Sequence, residues 1–252
     1  MIRDGTPLYF SPDLNATLES QLIYGENFEV FEDRDGWCWG QNLTDKYVGF
    51  VPAASLTTDL PPPDHQVAVL KSYLYLEPDL RSPTDGTISI SARVKVVDDF
   101  GGFSRIATGH WLYSRHLDCL QNSTGYFIAT AKKIIGVPYL WGGRSSEGVD
   151  CSSLVQLSLA MAGISVPRDS DLQETAIGIE VPMGHKEDYS KLEVGDLVFF
   201  PGHVGVFIEH SQFLHANAFD MLVSQHSFSD VLERGRIENA SVSSIRRLTP
   251  TT

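Results

Sequence analysis

The stretch GVDCSSLVQ, residues 148–156, sets a cysteine directly after an aspartate and directly before an apolar helical pattern. Gly148 supplies a turn, and Asp150 or Ser152 is placed to cap. Leu154, Val155, Leu157, Met161 and Ala162 then define an apolar stripe that Gly163 ends. Cys151 is therefore expected in the first turn of a helix, where unpaired backbone N–H groups carry partial positive charge. That position lowers a thiol's pKa and favours the nucleophilic thiolate. The same N–H groups bind the oxyanion that forms when sulfur attacks a carbonyl. The other two cysteines lack this setting: Cys38 lies between Trp37 and Trp39 on a strand, and Cys119 lies in a polar linker.

A cysteine nucleophile needs a base, and the base needs an orienting group. His203 starts a strand after the turn Pro201-Gly202, and His215 lies in the next strand. If Glu209 and Gln212 closed a two-residue turn, these histidines would face opposite sides of the sheet; an odd loop or a bulge puts them on one face. His65, His110, His116, His185, His210 and His226 read as ordinary surface or core histidines. A zinc site of Cys151, His203 and His215 is the rival chemistry, but neither HExxH nor paired CxxC supports it.

The elements that must carry these residues change character along the chain. TTDLPPPDH (57–65) reads as a linker, and DCLQNST (118–124) as a second polar break. Before that break the pattern is strands and turns, and it occurs twice. FEVFEDRDGW (28–37) aligns with VKVVDDFGGF (94–103) at an offset of 66, and GFVPAASL (49–56) with HWLYSRHL (110–117) at an offset of 61. Two small β-barrels from a duplication are expected, the first with five extra residues between the blocks. After the break, YFIATAKKIIG (126–136) is helical, with Phe127, Ala131, Ile134 and Ile135 on one side. DLVFF, HVGVFI and FLHANA (196–200, 203–208, 213–218) read as consecutive antiparallel strands. The fold class is α+β, organised as 1–58, 65–118 and 124–252.

The formal net charge of -13 argues against nucleic acid and anionic membrane surfaces as partners. MIRDGTPLYFSPDL lacks a basic segment followed by an apolar one, and no apolar run is long enough to span a bilayer. The expectation is a cytoplasmic protein without membrane insertion.

PYLWGG (138–143), DCSSLVQ (150–156), PRDSDLQ (167–173), LEVGDLVFF (192–200) and HVGVFIEHSQFLHA (203–216), in that order, resemble the NlpC-type cell-wall cysteine peptidases. The two preceding segments are similar to bacterial SH3-like domains. The resemblance implies a papain-like domain that needs no cofactor or metal. It implies hydrolysis of the bond from γ-D-glutamate to a diamino acid such as diaminopimelate in peptidoglycan stem peptides. By position, Cys151 is the nucleophile, His203 its base and His215 the orienting group. Ser153 departs from the glycine the family often has there. Tyr139, Asp150 and Ser152 flank the nucleophile as substrate contacts, and Arg168, Ser170 and Gln173 can line the pocket. Relatives with SH3-like domains use a tyrosine and a glutamate to bind a terminal L-alanine amine, which nominates Tyr47 and Glu26 here. Such an enzyme trims small free-amine muropeptides in cell-wall recycling. A cysteine amidase of other specificity and an inactive wall-fragment-binding protein are the alternatives.

Overall fold

The computed structural model describes residues 5–58, 60–120, 127–183 and 188–249. His185 and much of the break at 118–124 lie outside the described residues. The first strands are β1 (Thr6–Tyr9), β2 (Leu18–Leu22), β3 (Phe28–Arg34), β4 (Trp37–Asn42) and β5 (Val48–Pro52), in the antiparallel order β2-β1-β5-β4-β3. Leu8, Leu22, Cys38 and Val51 close its small core, so Cys38 is a packing residue.

The second unit contains β6 (His65–Val67), β7 (Lys71–Tyr75), β8 (Thr84–Ser89), β9 (Arg93–Val94), β10 (Val96–Phe100), β11 (Phe103–Ile106), β12 (Trp111–Tyr113) and β13 (Leu117–Cys119). Its larger sheet reads β8-β7-β12-β11-β10 from one edge, the order of the first unit strand for strand. Both third strands turn into the fourth through two residues with positive φ, Asp35-Gly36 and Gly101-Gly102, the geometry that suits a tight hairpin. Both fifth strands run into a 3-10 turn, Ala53–Ser55 and Ser114–His116, 61 residues apart (114 − 53). Cys119 is not in a linker: β13 pairs with β6 and closes the second sheet of this unit.

The remaining elements are α1 (Phe127–Lys133), β14 (Arg144–Ser145), β15 (Gly148–Val149), α2 (Cys151–Met161), α3 (Ser170–Ala176), β16 (Ile179–Glu180), β17 (Leu197–Phe200), β18 (His203–Ile208), β19 (Gln212–Asn217), β20 (Leu222–Ser227), α4 (Phe228–Ile237) and β21 (Ser244–Arg247). One antiparallel sheet runs β16-β21-β17-β18-β19-β20. Helix α2 lies against β18 and β19, and its Leu154, Val155 and Leu157 share a core with Val204, Val206, Leu214 and Ala216. Phe200, Phe213, Phe228 and Val231 form a second core with α4 on the other sheet face. Helix α2 is buried nearly all round rather than along one stripe, which marks it as the central helix. Helix α1 is shorter than its apolar pattern: it stops at Lys133, so Ile134 is buried and Ile135 is exposed.

Both β units are fastened to this domain. The Arg144 backbone N–H donates to Gln21 Oε1 at 2.7 Å, and Arg168 Nε donates to Ser20 Oγ at 3.0 Å. From the second unit, Ser89 Oγ accepts from Ser146 N at 2.7 Å, and the Ala68 carbonyl accepts from Lys133 Nζ at 2.9 Å. None of the described helices is long and apolar enough to cross a membrane.

Candidate active site

Cys151 is the first residue of α2, and Asp150 is its N-cap. The Asp150 carboxylate accepts from Ser153 N at 2.9 Å, while Ser153 Oγ accepts from Asp150 N at 2.9 Å. This is a closed capping box, so the serine that departs from the family pattern completes the cap. The N–H groups of Cys151 and Ser152 have no partner within the helix. The buried thiol faces the Gly202 carbonyl with sulfur at 4.0 Å, and the backbone N–H of Val204 also reaches it. Sulfur therefore touches the main chain on both sides of His203.

His203 and His215 lie on one sheet face. The register Val206↔Leu214, Phe207↔Phe213, Ile208↔Gln212 leaves Glu209, His210 and Ser211 as a three-residue loop. An odd loop pairs odd positions with odd ones, which removes the parity conflict. Continuing that register sets Gly205 across from His215. A Cβ at Gly205 would come within 2.5 Å of the Phe213 ring and 2.8 Å of His215 Cβ, so glycine is required there. His203 Nε2 meets His215 Nδ1 at 2.8 Å. His226, expected to be an ordinary histidine, is part of the same line: its Nδ1 lies 3.0 Å from His215 Nε2, and its Nε2 lies 3.1 Å from Asp220 Oδ2.

Burial pushes the His203 imidazole down to about 4 and the His215 imidazole further, the latter also through the neighbouring histidines and Arg234. Burial and then Asp150 push the Cys151 thiol up to about 11, against the weaker pull of the Val204 and Ser152 N–H groups and Arg168. This corrects the expectation of a lowered thiol pKa: desolvation outweighs the helix start. Burial, then Cys151 and Asp150, also push the Tyr139 phenol up to about 12, so it remains a hydrogen-bond donor beside the sulfur.

Arg168 is a buried clamp beneath Cys151. It donates to Asp150 Oδ1 at 3.0 Å, to Asp150 Oδ2 at 2.5 Å and to Ser152 Oγ at 2.8 Å. Gln173, on α3, donates to the Ser152 carbonyl at 2.9 Å and so fixes the next turn. Ser170 opens α3 and is half-buried.

Two acidic residues exchange places relative to the sequence reading. Glu26 is not open to an ammonium: its oxygens accept from Arg144 Nη2 at 3.0 Å, Arg144 Nη1 at 3.1 Å, Ile23 N at 2.8 Å and Asn42 Nδ2 at 3.1 Å. Its side chain is 8% exposed, and Arg144 cancels its charge. The carboxylate that meets Tyr47 is Glu19, at 3.4 Å from the hydroxyl. Burial, then Asp169 and Glu19, push the Tyr47 phenol up to about 12. Asp169 is itself raised, by burial and by Asp171, Asp150 and Glu19, against Arg168. Asp169 and Asp150 thus both face the Arg168 guanidinium, and Glu19 stands near Asp169. The sequence signal for Glu19 was faint: it neighbours Leu18, whose carbonyl lies so close to Gly142 of the WGG turn that a Cβ there would approach it to 2.7 Å. Among the described residues no cluster of His, Cys, Asp or Glu is arranged to hold a metal ion. The nitrogens of the rival zinc set bond one another instead.

Residues 136–236 match the NlpC/P60 family, and residues 8–56 match the bacterial dipeptidyl-peptidase Sh3 domain. The chain is similar to dipeptidyl-peptidase 6 of Lysinibacillus sphaericus, 24% identical over 234 residues that cover 83% of this chain and 84% of that one. It is 27% identical to the gamma-D-glutamyl-L-lysine dipeptidyl-peptidase of Bacillus cereus over 231 residues, 79% of this chain and 67% of that protein. The crystal structure of an NlpC/P60 family protein from Bacillus cereus superposes with a TM-score of 0.79 at 22% identity, covering 98% of this chain and 97% of that one, which establishes a shared fold. Residues 136–236 thus carry the NlpC/P60 match, preceded at 8–56 by the match to the bacterial dipeptidyl-peptidase Sh3 domain.

Proposed function

We propose that this chain is a cysteine peptidase that cleaves the bond between γ-D-glutamate and the diamino acid in peptidoglycan-derived peptides with a free N-terminal L-alanine. The observation that carries the chemistry is the meeting of three features: a capped helix start at Cys151, the thiol against the backbone around His203, and His203 bonded to His215 on one sheet face. His203 takes the thiol proton as sulfur attacks the γ-glutamyl carbonyl carbon. The N–H groups of the first turn, with the Tyr139 hydroxyl beside them, hold the oxyanion. The imidazolium then protonates the leaving amine, and the C–N bond breaks to leave a thioester. Water adds to the thioester with His203 as base, which releases the acid and restores the thiol.

The wall of the cleft supports a substrate with a free amine. Tyr47 and Glu19, both on the first β unit, bond one another near Asp169, and Asp169 and Asp150 share Arg168, so three carboxylates gather along this wall. An α-ammonium supplies the missing cation through charge-assisted hydrogen bonds. Released fragments have such an amine, which fits a role in cell-wall recycling. The names of the two relatives, a dipeptidyl-peptidase and a gamma-D-glutamyl-L-lysine dipeptidyl-peptidase, support the reading. Incubation with L-Ala-γ-D-Glu-diaminopimelate, followed by mass spectrometry, should give L-Ala-γ-D-Glu and free diaminopimelate. The Nα-acetylated peptide should be cut far more slowly, and Cys151→Ala should fold without activity. Turnover by Cys151→Ala, or equal cleavage of both peptides, would overturn the reading.

A further inference from the structure

The line of imidazoles does not end at His215. His203, His215 and His226 step diagonally across β18, β19 and β20, and the line closes on the Asp220 carboxylate. Asp220 is itself held: its Oδ2 accepts from Ser224 Oγ at 2.5 Å, and its N–H donates to Asn217 Oδ1 at 2.8 Å. Asn217 Nδ2 donates in turn to Ser224 Oγ at 2.8 Å.

A neutral imidazole has one N–H and one lone pair, and a carboxylate only accepts. These two facts fix every proton in the line. Because Asp220 Oδ2 accepts, His226 carries its proton on Nε2, and His226 Nδ1 is a lone pair. That lone pair requires His215 to donate from Nε2, so His215 Nδ1 is a lone pair. His203 must then donate from Nε2, which leaves its Nδ1 as the lone pair for the thiol proton. We infer that Asp220 and His226 are positioning residues that set, through His215, the base tautomer of His203. This rests on the proposed role of His203 and extends it by two residues. The charged and titratable groups around His226 are Asp220, His215 and Arg234, the last reaching the line from α4. When His203 becomes cationic, the line also leads toward the Asp220 charge.

The test reads protons directly. Imidazole nitrogen-15 NMR on the full chain at neutral pH should show His203, His215 and His226 all protonated at Nε2. His226→Phe removes the acceptor for His215 Nε2 and should populate Nδ1–H on His203. With the tripeptide, kcat should then fall at least roughly tenfold with KM nearly unchanged. His226→Gln, whose amide oxygen can accept from His215, should recover most of that loss. An Nδ1–H tautomer on any of the three in the wild type would overturn the inference, as would an unchanged His203 tautomer in a folded His226→Phe. If that variant does not fold, the wild-type spectrum alone decides. A wild type inactive on the tripeptide but with the expected tautomers would overturn the substrate assignment and leave this inference standing.

Discussion

Replacing Glu26 by alanine separates two roles that one glutamate cannot fill together. Arg144 is 2% exposed, and Glu26 holds its guanidinium through two bonds, at 3.0 and 3.1 Å. The remaining carboxylate, Asp45, stands at 3.5 Å and also accepts from Gln156 Nε2. Glu26→Ala therefore leaves a buried cation half-compensated and takes the acceptor from Ile23 N and Asn42 Nδ2 as well. Removing one partner of a buried pair costs about 3–5 kcal/mol. At roughly 2–4 °C per kcal/mol for a chain of this size, the unfolding midpoint should drop by about 10 °C. Differential scanning calorimetry measures the midpoint, and the ratio of cleavage rates on free and acetylated tripeptides, taken below the transition, measures amine selectivity. Selectivity should stay at the wild-type value. A midpoint within about 2 °C of wild type together with lost selectivity would refute the reasoning and return Glu26 to the cleft.

Glu19→Gln and Tyr47→Phe should behave in the opposite way: KM for the free-amine peptide rises roughly tenfold, the size of one charge-assisted hydrogen bond, with little change in melting. Arg168→Met should lower both stability, by about 3 kcal/mol in urea titration, and kcat, because Asp150 loses its clamp under Cys151. His203 and His215 are neutral when folded, so unfolding takes up protons as pH falls below the ordinary histidine value of about 6.5. Their contribution to stability is complete above about 6.5 and is lost as pH falls toward about 4; the midpoint measured between pH 7.5 and 4.5 should decline less steeply in His203→Phe.

The placement of Cys151, His203 and His215 is legible where a local pattern encodes it. A cysteine at a helix start, a histidine after a Pro-Gly turn and another in the next strand are read from neighbours within a few residues. The parity of the two histidines was not legible, because the loop that sets it places His210 and Ser211 at φ 60 and 56, where neither type announces a left-handed turn. Pairing across long separations was equally hidden. Asp150 and Arg168 are 18 residues apart, Glu26 and Arg144 are 118 apart, and no periodicity links either pair. His226 was missed because its meaning depends on the β19–β20 register, which sets it across from Phe213 and diagonal to His215.

The two β units share a strand order but differ by five residues between their two matching blocks. These residues lengthen β4, the start of β5 and, by one residue, the connection between them, which carries Asp45 and Tyr47. Asp45 reaches Gln156 on α2 and approaches Arg144, and Tyr47 reaches Glu19 beside Asp169. The second unit has the same strand order but joins β11 to β12 through a shorter turn around Gly109. That turn cannot project a carboxylate and a phenol as the longer one does. The second unit is held to the C-terminal domain elsewhere, through Ser89 to Ser146, Ala68 to Lys133 and the ion pair of Lys71 with Glu147. The residues of one connection therefore distinguish the two units: in the first it carries Asp45 and Tyr47 toward the C-terminal domain. Replacing residues 43–46 by the Ala-Thr-Gly of 107–109 should leave the first unit folded, since its core residues Leu8, Leu22, Cys38 and Val51, the Tyr47 packed on them and Asn42 lie outside the change. It should also open the cleft, so that acetylated and free peptides are cut at similar rates.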